Sequence, residues 1–309
     1  MPRQPRNPRR PFAPLNLIGT DLSDTLRGNA DDNTYLGGGG DDLLLGSGGN
    51  DTVIGGSGLD TLSYLNQSGP ITLKRDGTIL KADGSIDTRP DFSIETVIGA
   101  RGQQNTLDAS GGFIDPSVLA ALNGAPLIDI DLSKERLTIN GLPGIGSGSL
   151  TVNEFTHVIG TEIADNLTGN NGANDLNGSA GNDRLTGLGG ADRLTGGSGA
   201  DIFQFSPGDS TMRRFDTIND LEIGTDRIMA WESMGDEVTQ LANTTSLRRE
   251  DMSSLLSSTT FNANTAVTFN MDERTFLAMN DATAGFQGNS DTMIEITGYS
   301  GNPADLSIG

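Results

Sequence analysis

The sequence predicts an all-β fold in which the backbone coils as a solenoid, and three observations indicate it. A nine-residue pattern occurs ten times, in two arrays of five. Glycine supplies 43 of the 309 residues, about twice its ordinary share. Only 34% of residues are apolar and 5% aromatic, so packing of large side chains contributes little. A fixed short period means that each coil of the chain resembles the previous one and stacks on it.

The two arrays have the same internal design. The first starts at Gly19 and contains GTDLSDTLR, GNADDNTYL, GGGGDDLLL, GSGGNDTVI and GGSGLDTLS. The second starts at Gly160 and contains GTEIADNLT, GNNGANDLN, GSAGNDRLT, GLGGADRLT and GGSGADIFQ. Each nonad divides into a six-residue loop, GGxGxD, and a short strand with an apolar middle residue that points into a core. These core residues are Leu26, Tyr35, Leu44, Val53, Leu62, Leu167, Leu176, Leu185, Leu194 and Phe203.

Stacking of the loops brings acidic residues together. Consecutive nonads are predicted to lie on opposite sheets, so two nonads make one turn and each nonad stacks on the next but one. The glycines are expected to let the loop bend through positive φ values, which other residues resist. Position six of one loop then places Asp42 beside Asp60 on one edge, and Asn33 beside Asp51 on the other. Like charges this close destabilise the stack unless a cation lies between them.

The expected cation is calcium. The loops offer carboxylates and glycine-exposed carbonyls, which are hard oxygen ligands, and the chain has no cysteine and one histidine. Flexible, oxygen-only coordination favours Ca²⁺ over zinc or copper, while Mg²⁺ retains more water. Three stacked loop pairs in each array give up to about six ions. The alternative is that the aspartates form surface turns without metal. That alternative would explain a single loop, but it does not explain ten loops with the same spacing.

The predicted metal-site residues are the position-six side chains and the loop glycines. The side chains are Asp24, Asn33, Asp42, Asp51, Asp60, Asp165, Asn174, Asp183, Asp192 and Asp201. The glycines are Gly37, Gly38, Gly40, Gly46, Gly49, Gly55, Gly56, Gly58, Gly178, Gly181, Gly187, Gly190, Gly196, Gly197 and Gly199. Because asparagine replaces aspartate in two loops, the full-consensus pairs Asp42/Asp60 and Asp183/Asp201 are expected to bind best.

On these nonads, which cover 90 of 309 residues, the chain resembles the RTX, or haemolysin-type calcium-binding, repeat family. The resemblance implies a right-handed parallel β-roll and export by a type I secretion system through an uncleaved C-terminal signal. It also implies an extracellular or cell-surface location and folding once extracellular calcium is met. The last implication has a physical basis: acid-rich loops cannot stack without the ion, so binding free energy becomes folding free energy.

Charge and composition limit the partners. A net charge of −21 repels nucleic acid and anionic lipid and attracts multivalent cations. The lack of cysteine excludes disulfides and thiolate metal sites. No run approaches the roughly 18 apolar residues of a membrane span. The start MPRQPRNPRRPFAPL has prolines where a cleaved export signal needs an apolar segment, so residues 1–16 are predicted to be a disordered basic arm.

The first roll is predicted at 17–63 and the second at 158–205. Between them, residues 64–157 are expected to continue the solenoid as irregular coils, and an independent inserted sandwich is the alternative. The strand-like runs of this connecting segment are ITLKRDGTIL, LIDIDL, RLTING and SLTVNEF.

Residues 206–309 are expected to form a small, mostly β capping and secretion domain, which resembles the C-terminal domain of cyanobacterial surface proteins. One helix is predicted within 236–258, and strands in AVTFNM, RTFLAMND and DTMIEITGYSG. At its start, Asp209, Asp216 and Asp226 are candidates for a further ion.

No catalytic motif is found. The zinc-protease pattern HExxH and the hydrolase pattern GxSxG are both absent, and the single histidine, His157, is predicted to be structural. We therefore expect a secreted, calcium-stabilised surface or matrix protein without catalysis, with a cell-surface or polysaccharide partner. Two alternatives are an adhesin-like module and a polysaccharide-acting β-helix enzyme using Lys74, Arg75 and Lys81. A solvated charged edge strand is the simpler interpretation of those three residues.

Overall fold

The computed structural model describes residues 14–91, 93–111, 122, 125, 127–142, 146–231, 234, 238–299, 302, 305, 306, 308 and 309. The predicted basic arm, apart from residues 14–16, lies outside this set. In the described chain the regular structure is almost entirely β, and long runs of parallel pairing confirm the predicted fold class. The chain forms two compact units, residues 1–105 with 150–154, and residues 106–149 with 155–309.

The strands, in chain order, are β1 (Asn16–Ile18), β2 (Thr25–Arg27), β3 (Thr34–Gly39), β4 (Leu43–Leu45), β5 (Thr52–Ser57), β6 (Thr61–Ser63), β7 (Ile71–Lys74), β8 (Ile79–Lys81), β9 (Ile86–Asp87), β10 (Thr96–Ile98), β11 (Asn105–Asp108), β12 (Ile128–Asp131), β13 (Arg136–Leu142), β14 (Gly146–Asn153), β15 (Phe155–Ile159), β16 (Asn166–Thr168), β17 (Asp175–Asn177), β18 (Arg184–Thr186), β19 (Arg193–Thr195), β20 (Ile202–Gln204), β21 (Asp216–Ile218), β22 (Arg227–Met229), β23 (Thr239–Gln240), β24 (Ala266–Met271), β25 (Arg274–Met279) and β26 (Thr292–Ile296). A 3₁₀ turn covers Leu132–Lys134, and the helix α1 covers Arg249–Leu255.

In the first unit, consecutive nonads alternate between two parallel sheets. Strands β1, β3 and β5 form one sheet, and β2, β4, β6 and β10 form the other, followed by the last residues of β14. Leu44 pairs with Leu62 and Thr34 with Thr52, which are residues two nonads apart. Two nonads therefore make one turn, as the sequence predicts.

The core of each roll is a column of the predicted apolar residues. Nine of the ten are buried, and Leu26, in the first coil, is partly exposed. Burial of such a side chain is worth about 1.5–3 kcal/mol, and a nonad contributes only one. A thin core leaves the balance of stability to the loops.

The connecting segment mixes coils of the solenoid with antiparallel hairpins. In the first unit, β7, β8 and β9 form an antiparallel meander, after which β10 stacks in parallel on β6. In the second unit, β12 pairs in parallel with β16 and antiparallel with β13. Strands β10 and β12 therefore each extend a sheet of a roll, as irregular coils of a solenoid would, while the antiparallel hairpins are additions to it.

The second unit repeats the design and ends in a cap. Strands β12, β16, β18, β20 and β22 pair in parallel, as do β15, β17, β19 and β21. Strand β26 then pairs in parallel with β21 and begins a meander with β25 and β24. Aromatic and aliphatic residues between this meander and α1 form a separate core: Met252, Leu256, Phe261, Phe269, Phe276 and Met293.

The helix within 236–258 is shorter than predicted. Thr239 and Gln240 instead pair with β24 as β23, and α1 begins at Arg249. The intervening polar residues bond their own backbone: Thr244 Oγ1 donates to Ser246 O at 3.0 Å. Such local bonds compete with helix formation. In the part of the chain that is described, no helix has the length and apolarity needed to span a bilayer.

Candidate metal centre

The position-six side chains of the first roll form a ladder along each edge. Asp42 Oδ1 accepts the backbone N–H of Asp24 at 2.8 Å, and Asp60 Oδ1 accepts that of Asp42 at 2.9 Å. On the other edge, Asp51 Oδ1 accepts the N–H of Asn33 at 2.8 Å. One oxygen of each carboxylate therefore joins its loop to the loop one turn earlier, and both edge pairings predicted from the sequence are present.

The second roll has the same ladders. Asp183 Oδ1 accepts the N–H of Asp165 at 2.8 Å, and Asp201 Oδ1 accepts that of Asp183 at 2.9 Å. On the opposite edge, Asp192 Oδ1 accepts the N–H of Asn174 at 2.8 Å. All five position-six side chains of this roll are buried, at 3% exposure or less.

The ladders continue past the nonads. Asp216 and Asp226, candidates from the sequence, accept the N–H groups of Asp192 and Asp201, each at 2.9 Å. The third candidate, Asp209, instead accepts the N–H of Ser206 at 2.8 Å.

The nine-residue pattern did not identify two residues of the ladders. Asp87 Oδ1 accepts the N–H of Asp51 at 2.9 Å, and Glu95 Oε2 accepts that of Asp60 at 2.8 Å. Neither residue belongs to a nonad. The bonded partners are 35 or 36 residues apart, whereas partners within the array are 18 apart. A usable signal is the acid–threonine dipeptide that also closes several loops: Asp87 and Glu95 both precede threonine.

The second oxygen of six ladder carboxylates is buried and, among the described residues, has no hydrogen-bond partner. These aspartates are Asp42, Asp60, Asp183, Asp192, Asp201 and Asp216. A buried anionic oxygen without a donor is costly, and a cation in front of it removes the cost. The set includes both full-consensus pairs that were expected to bind best.

In other loops the residue at position two supplies a substitute. Asp24 Oδ2 accepts the N–H and the hydroxyl of Thr20, at 2.6 and 2.8 Å. Thr161 bonds Asp165 Oδ2 in the same way, at the same two distances. The asparagine loops are similar, since Asn33 Oδ1 accepts the N–H of Asn29 at 2.8 Å. These loops need a cation less than the six described above.

Burial raises the pKa of several ladder carboxylates, most of all in the second roll. It raises the pKa of Asp183 to about 8, with a further contribution from the neighbouring carboxylates. Burial also raises the pKa of Asp216 to about 8 and that of Asp192 to about 7. For Asp165 and Asp201 it raises the pKa to about 6. Without a counter-ion, ionisation of these carboxyl groups at neutral pH is therefore unfavourable.

Backbone carbonyls complete the donor set. Within the described ranges, no three acidic or histidine side chains converge on one point, so an ion here depends on main-chain oxygens. Stacked loops supply them: a Cβ on Gly56 would lie 2.1 Å from Gly38 O, and one on Gly58 would lie 2.2 Å from Gly40 O. Carboxylate and carbonyl oxygens in a flexible loop fit calcium.

Comparison with known proteins agrees with this chemistry. The RTX calcium-binding nonapeptide repeat model matches four copies, over residues 18–34, 27–62 and 164–203. The chain carries RTX calcium-binding repeats. RTX repeats bind Ca²⁺, and the position-six aspartates of both rolls lie within the matched segments.

Other comparisons add little. No curated protein sequence matches the chain. Among solved structures, the chain is similar to the extracellular lipase LipA from Serratia marcescens, with 16% identity and a TM-score of 0.27. The alignment covers 96% of this chain and 39% of that lipase, so the chain spans well under half its length. A likeness at this level carries no argument about activity.

The glycines of the RTX loops are required for two different reasons. Those at positions two and four have positive φ, as predicted: Gly38, Gly40, Gly49, Gly56, Gly58, Gly181, Gly190, Gly197 and Gly199. Those at position one do not, so the prediction is wrong for Gly37, Gly46, Gly55, Gly178, Gly187 and Gly196. There, a side chain has no room. A Cβ on Gly37 would lie 2.3 Å from Asp42 Oδ2, and one on Gly178 would lie 2.3 Å from Asp183 Oδ2.

Gly199→Ala is expected to be strongly destabilising because stacked RTX loops are in backbone contact. A Cβ there would lie 1.5 Å from Gly181 O, at φ 144°. Gly224→Ala is the control, since Gly224 has φ 95° and no atom within 4 Å of its Cβ position. Urea unfolding in saturating calcium should show a loss above about 4 kcal/mol for Gly199→Ala and about 1–3 kcal/mol for Gly224→Ala. Equal losses would rule out an effect of loop stacking.

The residues considered for catalysis are placed differently from one another. Lys74 is exposed at the end of β7, whereas Lys81 is 5% exposed and pairs with Asp87 at 2.5 Å. The interpretation of Lys81 as part of a solvated edge is therefore wrong. His157 lies in β15, where its Nδ1 is 3.0 Å from Thr156 Oγ1.

Proposed function

We propose that the chain is a secreted calcium-binding β-roll protein that completes its folding when it meets extracellular calcium. The observation that carries the proposal is the set of six buried carboxylate oxygens without a hydrogen-bond partner in the described chain. Each lies in a stack where the neighbouring carboxylate oxygen already bonds the backbone. The remaining oxygen is therefore fixed in place and open to an ion.

Calcium would supply the positive charge that these loops lack. The protein's part is to fix one oxygen of each aspartate, exclude water and direct carbonyls from the adjoining turn. Extracellular modules with such loops bind calcium at about 10⁻⁴ to 10⁻³ M. Each site filled to 100 times its dissociation constant would add about 2.7 kcal/mol to folding stability. A chain made in a calcium-poor compartment stays unfolded until export.

We also propose export through a C-terminal signal and a non-catalytic role at the cell surface or in a matrix, as the resemblance to RTX repeat proteins implies. The C-terminal strand β26 closes one sheet of the second roll by pairing with β21, as a capping domain should. The ladder acids are buried, so they are available to an enclosed ion and not to a polysaccharide substrate. We assign the outer faces to contact with a surface or polysaccharide partner.

The test is far-UV circular dichroism of the purified chain as calcium is added to a metal-free sample. We expect a cooperative gain of β signal with a midpoint at about 10⁻⁴ to 10⁻³ M calcium. Magnesium at the same concentrations is the control and should give little change, because it retains its water. An identical ordered spectrum with excess chelator would refute the proposal.

A further inference from the structure

One edge of the first roll already contains a cation, the ammonium group of Lys81. Its Nζ donates to Ser47 O at 2.8 Å, to Gly49 O at 2.6 Å and to Asp87 Oδ1 at 2.5 Å. It also lies 3.7 Å from Asp51 Oδ2. An ammonium has three donors, and all three are used. Two loop carbonyls and two ladder carboxylates thus surround one buried charge, which is the kind of ligand set that calcium takes.

The carboxylates of this edge have no vacant oxygen. Asp51 Oδ2 accepts the hydroxyl of Ser47 at 2.9 Å, and Asp87 Oδ2 accepts that of Tyr64 at 2.5 Å. Both aspartates are at most 1% exposed, yet neither belongs to the set with an unpartnered oxygen. On the opposite edge of the same roll, Asp42 and Asp60 each keep one buried oxygen without a described partner. The two edges therefore differ in how their charge is balanced.

A hairpin delivers the lysine. Strand β8 ends at Lys81, the chain turns back with Gly84 N donating to Lys81 O at 2.9 Å, and β9 ends at Asp87. Thr88 then forms a parallel bridge with Thr52, which sets Asp87 on the ladder above Asp51. The hairpin that replaces a regular nonad on this edge therefore supplies both the next ladder carboxylate, Asp87, and its counter-ion, Lys81.

We propose that the Lys81 ammonium is a built-in counter-ion that takes the place of calcium on this edge of the first roll. The inference rests on the proposed calcium-binding function and refines where the ions lie. The loop at 46–51, which supplies Ser47 O, Gly49 O and Asp51, then stacks on Asp87 without calcium. The loops at 37–42 and 55–60 remain the calcium-dependent edge.

The first test is a crystal structure of the full chain grown in saturating calcium, with calcium located by its anomalous scattering. We expect calcium beside Asp42 and Asp60, and none in the space enclosed by Ser47 O, Gly49 O and Asp87. A calcium ion in that space, with the Lys81 side chain displaced, would overturn the inference. Absence of calcium from every loop would overturn the proposed function itself, so the two failures are distinguishable.

The second test counts ions in variants under the same conditions. Lys81→Met frees two carbonyls and a pair of carboxylates, so the folded variant should bind one more calcium ion per chain than the wild type. Lys74→Met is the matched control, because it makes the same change at an exposed position of the same antiparallel meander, in β7, and should leave the count unchanged.

Lys81→Met/Asp87→Asn tests the ligand requirement. With one of the two carboxylates neutralised, the extra ion should be lost again and the count should return to that of the wild type. A folded Lys81→Met chain with the wild-type count would contradict the inference. If Lys81→Met does not fold even in calcium, the crystal structure of the wild type decides alone.

Discussion

Asp183→Asn is expected to change the stability of the second roll in opposite directions with and without calcium. The amide oxygen can still accept the N–H of Asp165, so the ladder bond is kept. The buried, unpartnered oxygen is replaced by a neutral NH₂ group. Without metal this removes a carboxyl group whose ionisation burial opposes, as its pKa of about 8 shows, and the variant should be the more stable protein. Asparagine already occupies the same position of another nonad, where Asn174 is buried and its Oδ1 accepts the N–H of Asn170 at 2.7 Å.

In calcium the same change removes a charged ligand. We expect a loss of about 1–3 kcal/mol in folding stability, which raises the calcium midpoint of folding roughly tenfold to a hundredfold. Urea unfolding in saturating calcium measures the loss, and the far-UV circular dichroism signal of the chains before and during calcium addition measures the metal-free gain and the shift in midpoint. Asp175→Asn, which removes the same charge from an outward strand position of that roll, should change neither by more than about 0.5 kcal/mol. Loss of stability in both conditions would show that Asp183 acts only as a packing element.

Metal-free protein is expected to become more stable as the pH falls from about 8 to about 5. Burial raises the pKa of Asp183 and Asp216 to about 8 and that of Asp192 to about 7, from an ordinary value of 3.8. The folded chain therefore binds more protons than the unfolded chain in this window. Stability from these groups is fully present below the unfolded pKa and is lost as the pH rises through the folded values.

The far-UV circular dichroism signal of the metal-stripped chain between about pH 8 and about pH 5 measures this slope, because the folded fraction should rise as the pH falls. Calcium should abolish or invert it, because calcium binds the ionised carboxylates and competes with protons. The Asp183→Asn variant should show a shallower slope than the wild type. A metal-free β signal that is constant, or that rises with pH, would mean that burial does not oppose ionisation of the ladder acids.

The nine-residue period was sufficient to predict the alternation of sheets, the core column and the aspartate pairs, because each depends only on spacing. It could not identify Asp87 and Glu95, whose ladder bonds skip the hairpin that interrupts the repeat. Nor could it predict that Thr20 and Thr161 satisfy their own aspartates, since that depends on a local side-chain bond at position two.

The nine-residue pattern also could not predict the role of Lys81. Its partners Ser47 and Gly49 lie more than thirty residues earlier, and only the fold of the meander brings the ammonium to them. From the sequence, a lysine beside another basic pair in a polar strand resembles a solvated edge. Burial reverses that interpretation, because an enclosed ammonium must have anionic or carbonyl partners.

The ladder bond always joins residues eighteen apart within an array, and successive nonads alternate between the two sheets. Removing the eighteen residues 43–60 would put Asp42 in the place of Asp60, so that a donor and an acceptor face each other as before. Removing nine residues would place the chain that follows in the opposite sheet. Such an array can thus gain or lose whole turns while its two ends keep the same contacts. Insertions and deletions of eighteen residues should therefore disturb the fold least.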